Sequence, residues 1–167
     1  MKRILIIGSG GAGKSTFAKQ LGEATDIEVL HLDKLHWKPG WIEPTKDEWR
    51  KTVAEIVAED SWIIDGNYGG TMQMRIERCD MVIFLDLPRI VCVWRVLKRF
   101  LTYRNGTRPD MAEGCNEKLD WKFLEWIWHY PIQTKPKVES LLKRFQNTKT
   151  IIRLQSKKEV ERFLQNI

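Results

Sequence analysis

The chain has 167 residues and is 43% hydrophobic, enough for one domain with a real core and too apolar for long disorder. Its formal charge of +6 favours anionic partners: phosphate-bearing small molecules, nucleic acid or acidic membranes. The three cysteines, Cys79, Cys92 and Cys115, have no CxxC spacing, which argues against a disulfide frame or a zinc site and for reduced thiols in a cytoplasm.

RILIIG (3–8) is a continuous apolar run closed by glycine and predicts a buried parallel strand. KSTFAKQLGEA (14–24) carries Phe17 and Leu21 at helical spacing. EVLHLD (28–33) predicts a second strand that ends on Asp33. TKDEW opens a helix: Thr45 and Glu48 form a capping box, and Trp49, Val53, Ile56 and Val57 share a face. SWIID (61–65) and DMVIFLDL (80–87) predict the third and fourth strands. Pro88 suits the first turn of a helix to about Phe100. YRNGTRPDMAEG (103–114) is polar and turn-rich and reads as an exposed loop, a lid candidate. A tryptophan-rich helix is expected over 117–130, with Trp121, Trp126 and Trp128 on more than one face; it packs on both sides or presents a patch to a partner or a second copy. Another helix covers 135–146, TIIRL (150–154) is the fifth strand, and Ser156 and Glu159 cap a last helix with Val160, Phe163 and Leu164 inward. No run approaches the roughly 20 apolar residues of a membrane span.

Strands alternate with helices without a break. The order predicts one α/β domain over residues 1–167: a P-loop NTPase with a five-stranded parallel sheet, helices on both faces and a helical lid at roughly 100–130.

GSGGAGKST, 8–16, fits G-x-x-x-x-G-K-[ST] without mismatch and lies between the first strand and the first helix. The backbone of Ser9, Gly10, Gly11, Ala12 and Gly13 folds N–H groups around phosphate oxygens, and the helix that opens at Lys14 adds partial positive charge. Lys14 reaches the β- and γ-phosphates, Ser15 offers its hydroxyl to Mg²⁺, and Thr16 follows in the first turn.

A phosphate loop serves motors, switches and kinases alike, so the second acid decides. Energy-coupling ATPases carry an acid pair at the end of a neighbouring apolar strand. Here WIID ends on Asp65, and Gly66 follows where a second acid would stand. The chain also has no room for motor subdomains. Both points favour phosphoryl transfer to a bound acceptor, with Asp65 holding the magnesium shell through water. The alternative for Asp65 is a turn residue that caps the next helix.

The phosphate loop, an Asp after the second strand, DG after the third and VIFLDLP…R…R after the fourth resemble, in that order, the adenylate kinase and nucleoside monophosphate kinase group. HLDKLHWKPGW, WIIDGNYGGTMQMRIERCD and VIFLDLPRIVCVWRVLKR are more similar still to the DNA topology modulation (FlaR-like) proteins of the same superfamily. The kinase resemblance implies that Arg95 and Arg99 grip the nucleotide; a solvated basic face is the alternative. It implies that arginines in the lid, here Arg104 and Arg108, close over the transferring phosphate; two solvated loop arginines are the alternative. It implies that the loop Gln155–Lys157 holds adenine, so ATP is the donor.

The same resemblance places the acceptor over the segments after the second and third strands. Asp33 there accepts a proton from an acceptor hydroxyl or orients it; the alternative is a cap. Trp37 and Trp41 flank KPG and stack on a planar acceptor or a sugar, or else cover the core. His36 is at most a polar wall residue. The kinases follow DG with an arginine that grips the acceptor phosphate, and DGNYGG has none. Asn67 and Tyr68 occupy that place, and Arg75 or Arg78 are the candidates to replace the lost arginine. The late basic residues, from Lys135 to Lys158, have no nucleic-acid motif with them.

These readings converge on a kinase for a small acceptor that uses ATP and Mg²⁺. The alternative is a nucleic-acid-associated ATPase that affects DNA topology; direct nucleic-acid binding is the less favoured outcome.

Overall fold

The computed structural model describes residues 2–103, 106, 109–116 and 118–167. The element order is β1 (Arg3–Gly8), α1 (Lys14–Thr25), β2 (Val29–His31), α2 (Leu32–His36), α3 (Lys46–Ala58), β3 (Trp62–Asp65), α4 (Gly69–Arg78), β4 (Met81–Leu85), α5 (Arg89–Tyr103), α6 (Trp121–Gln133), α7 (Lys135–Phe145), β5 (Thr150–Leu154) and α8 (Lys157–Gln165). The five strands form one sheet in the order β2-β3-β1-β4-β5. Every pairing is parallel, so each connection must cross over a face and the strands are buried on both sides.

The period of two within the strands sorts the core into two layers. Ile4, Ile6, Ile63, Ile83 and Leu85 face Phe17, Leu21, Cys92, Val96, Leu124 and Ile127, which belong to α1, α5 and α6; Val160, Phe163 and Leu164 of α8 pack at the margin. Leu5, Ile7, Ile64, Val82 and Phe84 face Trp49, Val53, Met72, Ile76, Val138 and Leu142 of α3, α4 and α7. The chain has the α/β P-loop NTPase fold.

The capping signals form as the sequence predicts. Thr45 and Glu48 make a reciprocal capping box, and Ser156 Oγ accepts from the Glu159 N–H at 3.2 Å. The three cysteines are free and buried. Among the described residues no helix is long and apolar enough to cross a membrane.

Three boundaries differ from expectation. β2 stops at His31, so Asp33 lies in α2 and does not end a strand. The tryptophan-rich helix starts at Trp121, where Asp120 caps it by accepting from Lys122 N–H at 2.9 Å and Phe123 N–H at 3.3 Å. It then runs through Pro131 to Gln133. The 103–114 segment is not an exposed loop throughout: Met111 and Ala112, with Cys115 just beyond it, are buried against Trp37 and Trp41, and the Gly40 N–H donates to the Gly114 carbonyl at 3.2 Å.

Of the helix tryptophans, Trp126 packs on the core, while Trp121 and Trp128 are exposed; Ile90, Trp94 and Leu101 of α5 are exposed as well. Arg89 covers Trp128, with its guanidinium 4.1 Å from the ring centroid.

Candidate active site

The site opens at the carboxyl ends of the strands, where parallel α/β sheets bind ligands. β1 delivers the phosphate loop. Gly13 caps α1 with φ 92°, a left-handed turn that directs the loop's backbone back towards the helix axis. Gly11 has φ 74°, and a Cβ there would meet the Cys92 carbonyl oxygen at 2.2 Å, so α5 is seated directly behind the loop. The Lys14 ammonium donates to the Gly8 carbonyl at 3.1 Å and the Ser9 carbonyl at 2.9 Å. Burial lowers its pKa from the usual lysine range, partly offset by the nearby charges of Asp33 and Asp65.

β3 ends beside β1, with Asp65 opposite Ile6. Asp65 is 4% exposed and is held at both oxygens. Ser15 Oγ donates to Oδ2 at 2.8 Å, and His31 Nδ1 lies 2.6 Å from Oδ1. Burial alone would lower the His31 pKa, but the hydrogen bond and charge of Asp65 outweigh it and hold the pKa above the usual histidine value. No sequence motif assigns a role to His31. The signal was in the register: His31 pairs with Asp65 across β2 and β3.

Asp33, in α2, accepts a hydrogen bond from the Tyr68 hydroxyl at 2.7 Å. Burial and the Asp33 charge push the Tyr68 pKa above the usual phenol range, so this hydroxyl stays protonated as a donor. Tyr68 caps α4 with φ 36°, a left-handed conformation uncommon for a non-glycine residue. Trp37 and Trp41 meet edge to face with ring centroids 5.3 Å apart. His36 lies away from the wall, in a cluster with Trp37, Trp49 and Tyr68.

The expected acceptor-gripping arginine is not on this surface. Arg75 has 0% exposure. Its guanidinium donates to the Gly66 carbonyl at 2.8 Å, the Tyr68 carbonyl at 3.0 Å and the Asn67 carbonyl. Arg75 therefore builds the DGNY turn from inside and does not line the cavity. Arg78 is exposed on α4 and stands outside the cavity wall. The Asn67 side chain also turns inward, pairing with both backbone groups of Gly8.

One cavity of about 1290 Å³ joins these parts. Gly10 to Thr16, Asp33, Trp37, Trp41, Asn67, Tyr68, Arg95 and Arg99 all line it. Arg95 Nη1 donates to the Ala12 carbonyl at 3.0 Å, which brings α5 to the loop. Ser9 and Asp65 are buried behind the wall, and Arg75 is behind the turn. Arg104 and Arg108 lie outside the described residues. Phe17, Lys157, Val160 and Leu164 line the end of the cavity near α8. Phe123 and Trp126 of α6 also line the cavity and were not anticipated. A Cβ on Gly10 would meet Phe123 at 2.5 Å, so α6 roofs the loop.

A second cluster, marked by no sequence motif, lies outside the wall. Asp86, just beyond β4, accepts from Lys135 at 2.9 Å and from Arg153 Nε at 2.9 Å, tying α7 and β5 to the strand end.

Ser15 and Asp65 supply hard oxygen donors beside the loop, and among the described residues no group of three or more His, Cys, Asp or Glu is gathered. This sparse set fits Mg²⁺, which keeps waters and phosphate oxygens as most of its ligands.

No protein-family model matches the chain, and no curated protein matches it. Solved structures do. Shikimate kinase from Acinetobacter baumannii in complex with shikimate superimposes with a TM-score of 0.61 at 15% identity, covering 99% of this chain and 90% of that one. Shikimate kinase from Bacteroides thetaiotaomicron gives 0.54 at 18% identity, covering 99% and 95%. Deoxyadenosine kinase from M. mycoides with bound dCTP gives 0.50 at 14% identity, covering 98% and 97%. At these identities the likeness is one of fold, shared over nearly the whole length of each chain.

Proposed function

We propose that the chain is a phosphotransferase that moves the terminal phosphoryl group of ATP to a hydroxyl of a small acceptor. The observation that carries this reading is the shared cavity: the phosphate loop forms one side, and Asp33 with Tyr68 stands on the other. Asp33 and Lys14 line the same cavity, so a carboxylate able to take a hydroxyl proton shares it with the group that would hold the departing phosphates. The volume of about 1290 Å³ exceeds that of a usual single-ligand pocket and suits two substrates. The fold likeness to kinases of shikimate and deoxyadenosine, both small hydroxyl compounds, supports the same reading.

Lys14 would leave the Gly8 and Ser9 carbonyls for the β- and γ-phosphates. Arg95 and Arg99, and in a closed lid Arg104, would offset charge on the transferring group. Asp33 would accept the acceptor's proton as that oxygen bonds to the γ-phosphorus and the bond to the bridging oxygen breaks, releasing ADP. Ser15 and Asp65 would hold Mg²⁺, which when bound offsets phosphate charge. Phe17, Val160 and Leu164 offer an apolar bed for adenine beside Lys157.

On the acceptor side, Trp37 and Trp41 supply flat walls and Tyr68 supplies a hydroxyl. With Arg75 committed to the turn, the DGNY segment offers no cation to an acceptor phosphate. A nucleoside or another uncharged hydroxyl compound therefore fits better at this point than a nucleoside monophosphate. The resemblance to DNA topology modulation proteins rests on sequence segments alone, and duplex DNA belongs in the test for that reason.

The test is a thermal-shift and ATP-consumption screen over nucleosides, nucleotides, sugars and duplex DNA. The expected result is little turnover until an acceptor is added. ATP hydrolysis driven by DNA without an acceptor, or Lys14→Ala binding Mg-ATP as tightly as wild type, would overturn the proposal.

A further inference from the structure

The Gly8 carbonyl accepts two hydrogen bonds at once, from Lys14 Nζ at 3.1 Å and from Asn67 Nδ2 at 2.6 Å. The Gly8 N–H donates in turn to Asn67 Oδ1 at 3.1 Å. Asn67 thus grips both polar backbone groups of the residue at the root of the phosphate loop. A side chain needs a donor and an acceptor on one planar head to do this, and an amide has both.

The backbone of Asn67 is fixed as firmly as its side chain. Arg75, fully buried, holds the carbonyls of Gly66, Asn67 and Tyr68. The next residue, Tyr68, is in the left-handed region at φ 36° and places its hydroxyl on Asp33. An unbroken set of contacts therefore runs from Gly8 through Asn67 and the Arg75-held turn to Tyr68 and Asp33. It joins the loop that would hold nucleotide to the wall that would hold acceptor.

We infer that Asn67 is a positioning residue that couples the two sides of the cavity. The inference rests on the reading of Lys14 as the lysine that moves to the nucleotide's phosphates. When Lys14 makes that move, the Gly8 carbonyl loses one of its two donors. Asn67 keeps the other and keeps the N–H as well, so the hydrogen bonding at the root of the loop shifts onto Asn67 as the lysine leaves. The changed load on Gly8 reaches Tyr68 and Asp33 through the turn. Linkage makes the effect reciprocal: a ligand that engages Tyr68 and Asp33 alters nucleotide affinity by the same factor by which nucleotide alters its own.

The test uses the full chain and Mg-ATP alone. Trp37 and Trp41 line the acceptor side and report on it; their fluorescence is isolated by difference against a Trp37→Phe, Trp41→Phe variant. Saturating Mg-ATP is expected to change that signal in wild type. Asn67→Ala and Asn67→Asp are expected to lose the change and to bind Mg-ATP about tenfold more weakly by calorimetry, the effect of one or two hydrogen bonds. Asn67→Asp keeps an oxygen for the Gly8 N–H and decides the matter if Asn67→Ala melts below the assay temperature. Loss of the signal with affinity intact also supports coupling. Persistence of the signal in Asn67→Asp, whatever its affinity, overturns coupling and leaves Asn67 a purely structural residue. An unchanged wild-type signal at saturating Mg-ATP overturns it too. Absence of Mg-ATP binding by wild type sinks the phosphate-loop reading, a result distinct from intact binding without coupling.

Discussion

The Ser15 hydroxyl donates to Asp65 Oδ2 at 2.8 Å, joining the first turn of α1 to the end of β3. Two hard oxygens thus meet beside the phosphate loop, with His31 holding the other carboxylate oxygen. Asp65→Asn keeps the shape but removes the charge that balances His31 and would attract a divalent ion. Nucleotide affinity in Mg²⁺ is expected to fall about tenfold or more, while affinity in EDTA stays near that of wild type. Calorimetry with ATP under both conditions reads the difference. Equal loss in both would make Asp65 a structural residue only.

Asp33 and Tyr68 form the other half of the site. Asp33→Asn retains a hydrogen-bond acceptor for the Tyr68 hydroxyl but cannot take a proton. Acceptor-dependent turnover is expected to fall between about 10² and 10⁴-fold, with Mg-ATP affinity unchanged. Tyr68→Phe leaves the carboxylate in place and is expected to cost much less in rate. Steady-state kinetics on the acceptor found by screening separates the two.

The sheet was legible because each strand is a dense apolar run between turn residues, and the phosphate loop because its spacing is strict. The end of β2 was not. EVLHLD continues as an apolar pattern to Asp33, yet β3 ends at Asp65, opposite His31, so no ladder partner remains beyond that pair. The chain turns into α2 instead, and Asp33 reaches the cavity from a helix. Arg75 illustrates a different limit. It lies on the same face of α4 as Met72 and Ile76, both buried, so its inward direction was legible from helical spacing. What it binds there was not legible, because its partners are backbone carbonyls of a turn whose path no side-chain pattern encodes. The Asp86 cluster joins residues far apart in sequence and needed the fold to be seen.

Arg75 carries a large share of the turn's stability. Arg75→Met removes the donors to three turn carbonyls while keeping much of the apolar stem. Each buried carbonyl left without a partner costs about 1–3 kcal/mol, so a loss of about 3–5 kcal/mol is expected after water re-enters. Arg75→Lys restores a charge but not the fan of donors and recovers only part of it. Denaturant unfolding of the three proteins measures this order; a neutral Arg75→Met variant would contradict the assigned role.

Asp80 gives the fold an acid-sensitive fastening. Its carboxylate accepts from the Lys2 N–H at 2.8 Å, the Arg3 N–H at 3.0 Å and Arg3 Nη2 at 3.1 Å, pinning the start of β1 to the residue before β4. The Lys2 backbone hydrogen bond leads the causes that pull its pKa down to about 2, with the Arg3 contacts adding to it against partial burial. A folded-state pKa below the unfolded value of about 3.9 means that stability is present above the unfolded value. It is lost as pH falls through the folded one. Asp80→Asn is therefore expected to lower the melting temperature by a few degrees at pH 7, and the gap should close between about pH 4 and pH 2. Thermal melts of both proteins across that range supply the check. A gap that persists unchanged to pH 2 would assign the loss to the Asn side chain's geometry and remove the charge from the explanation.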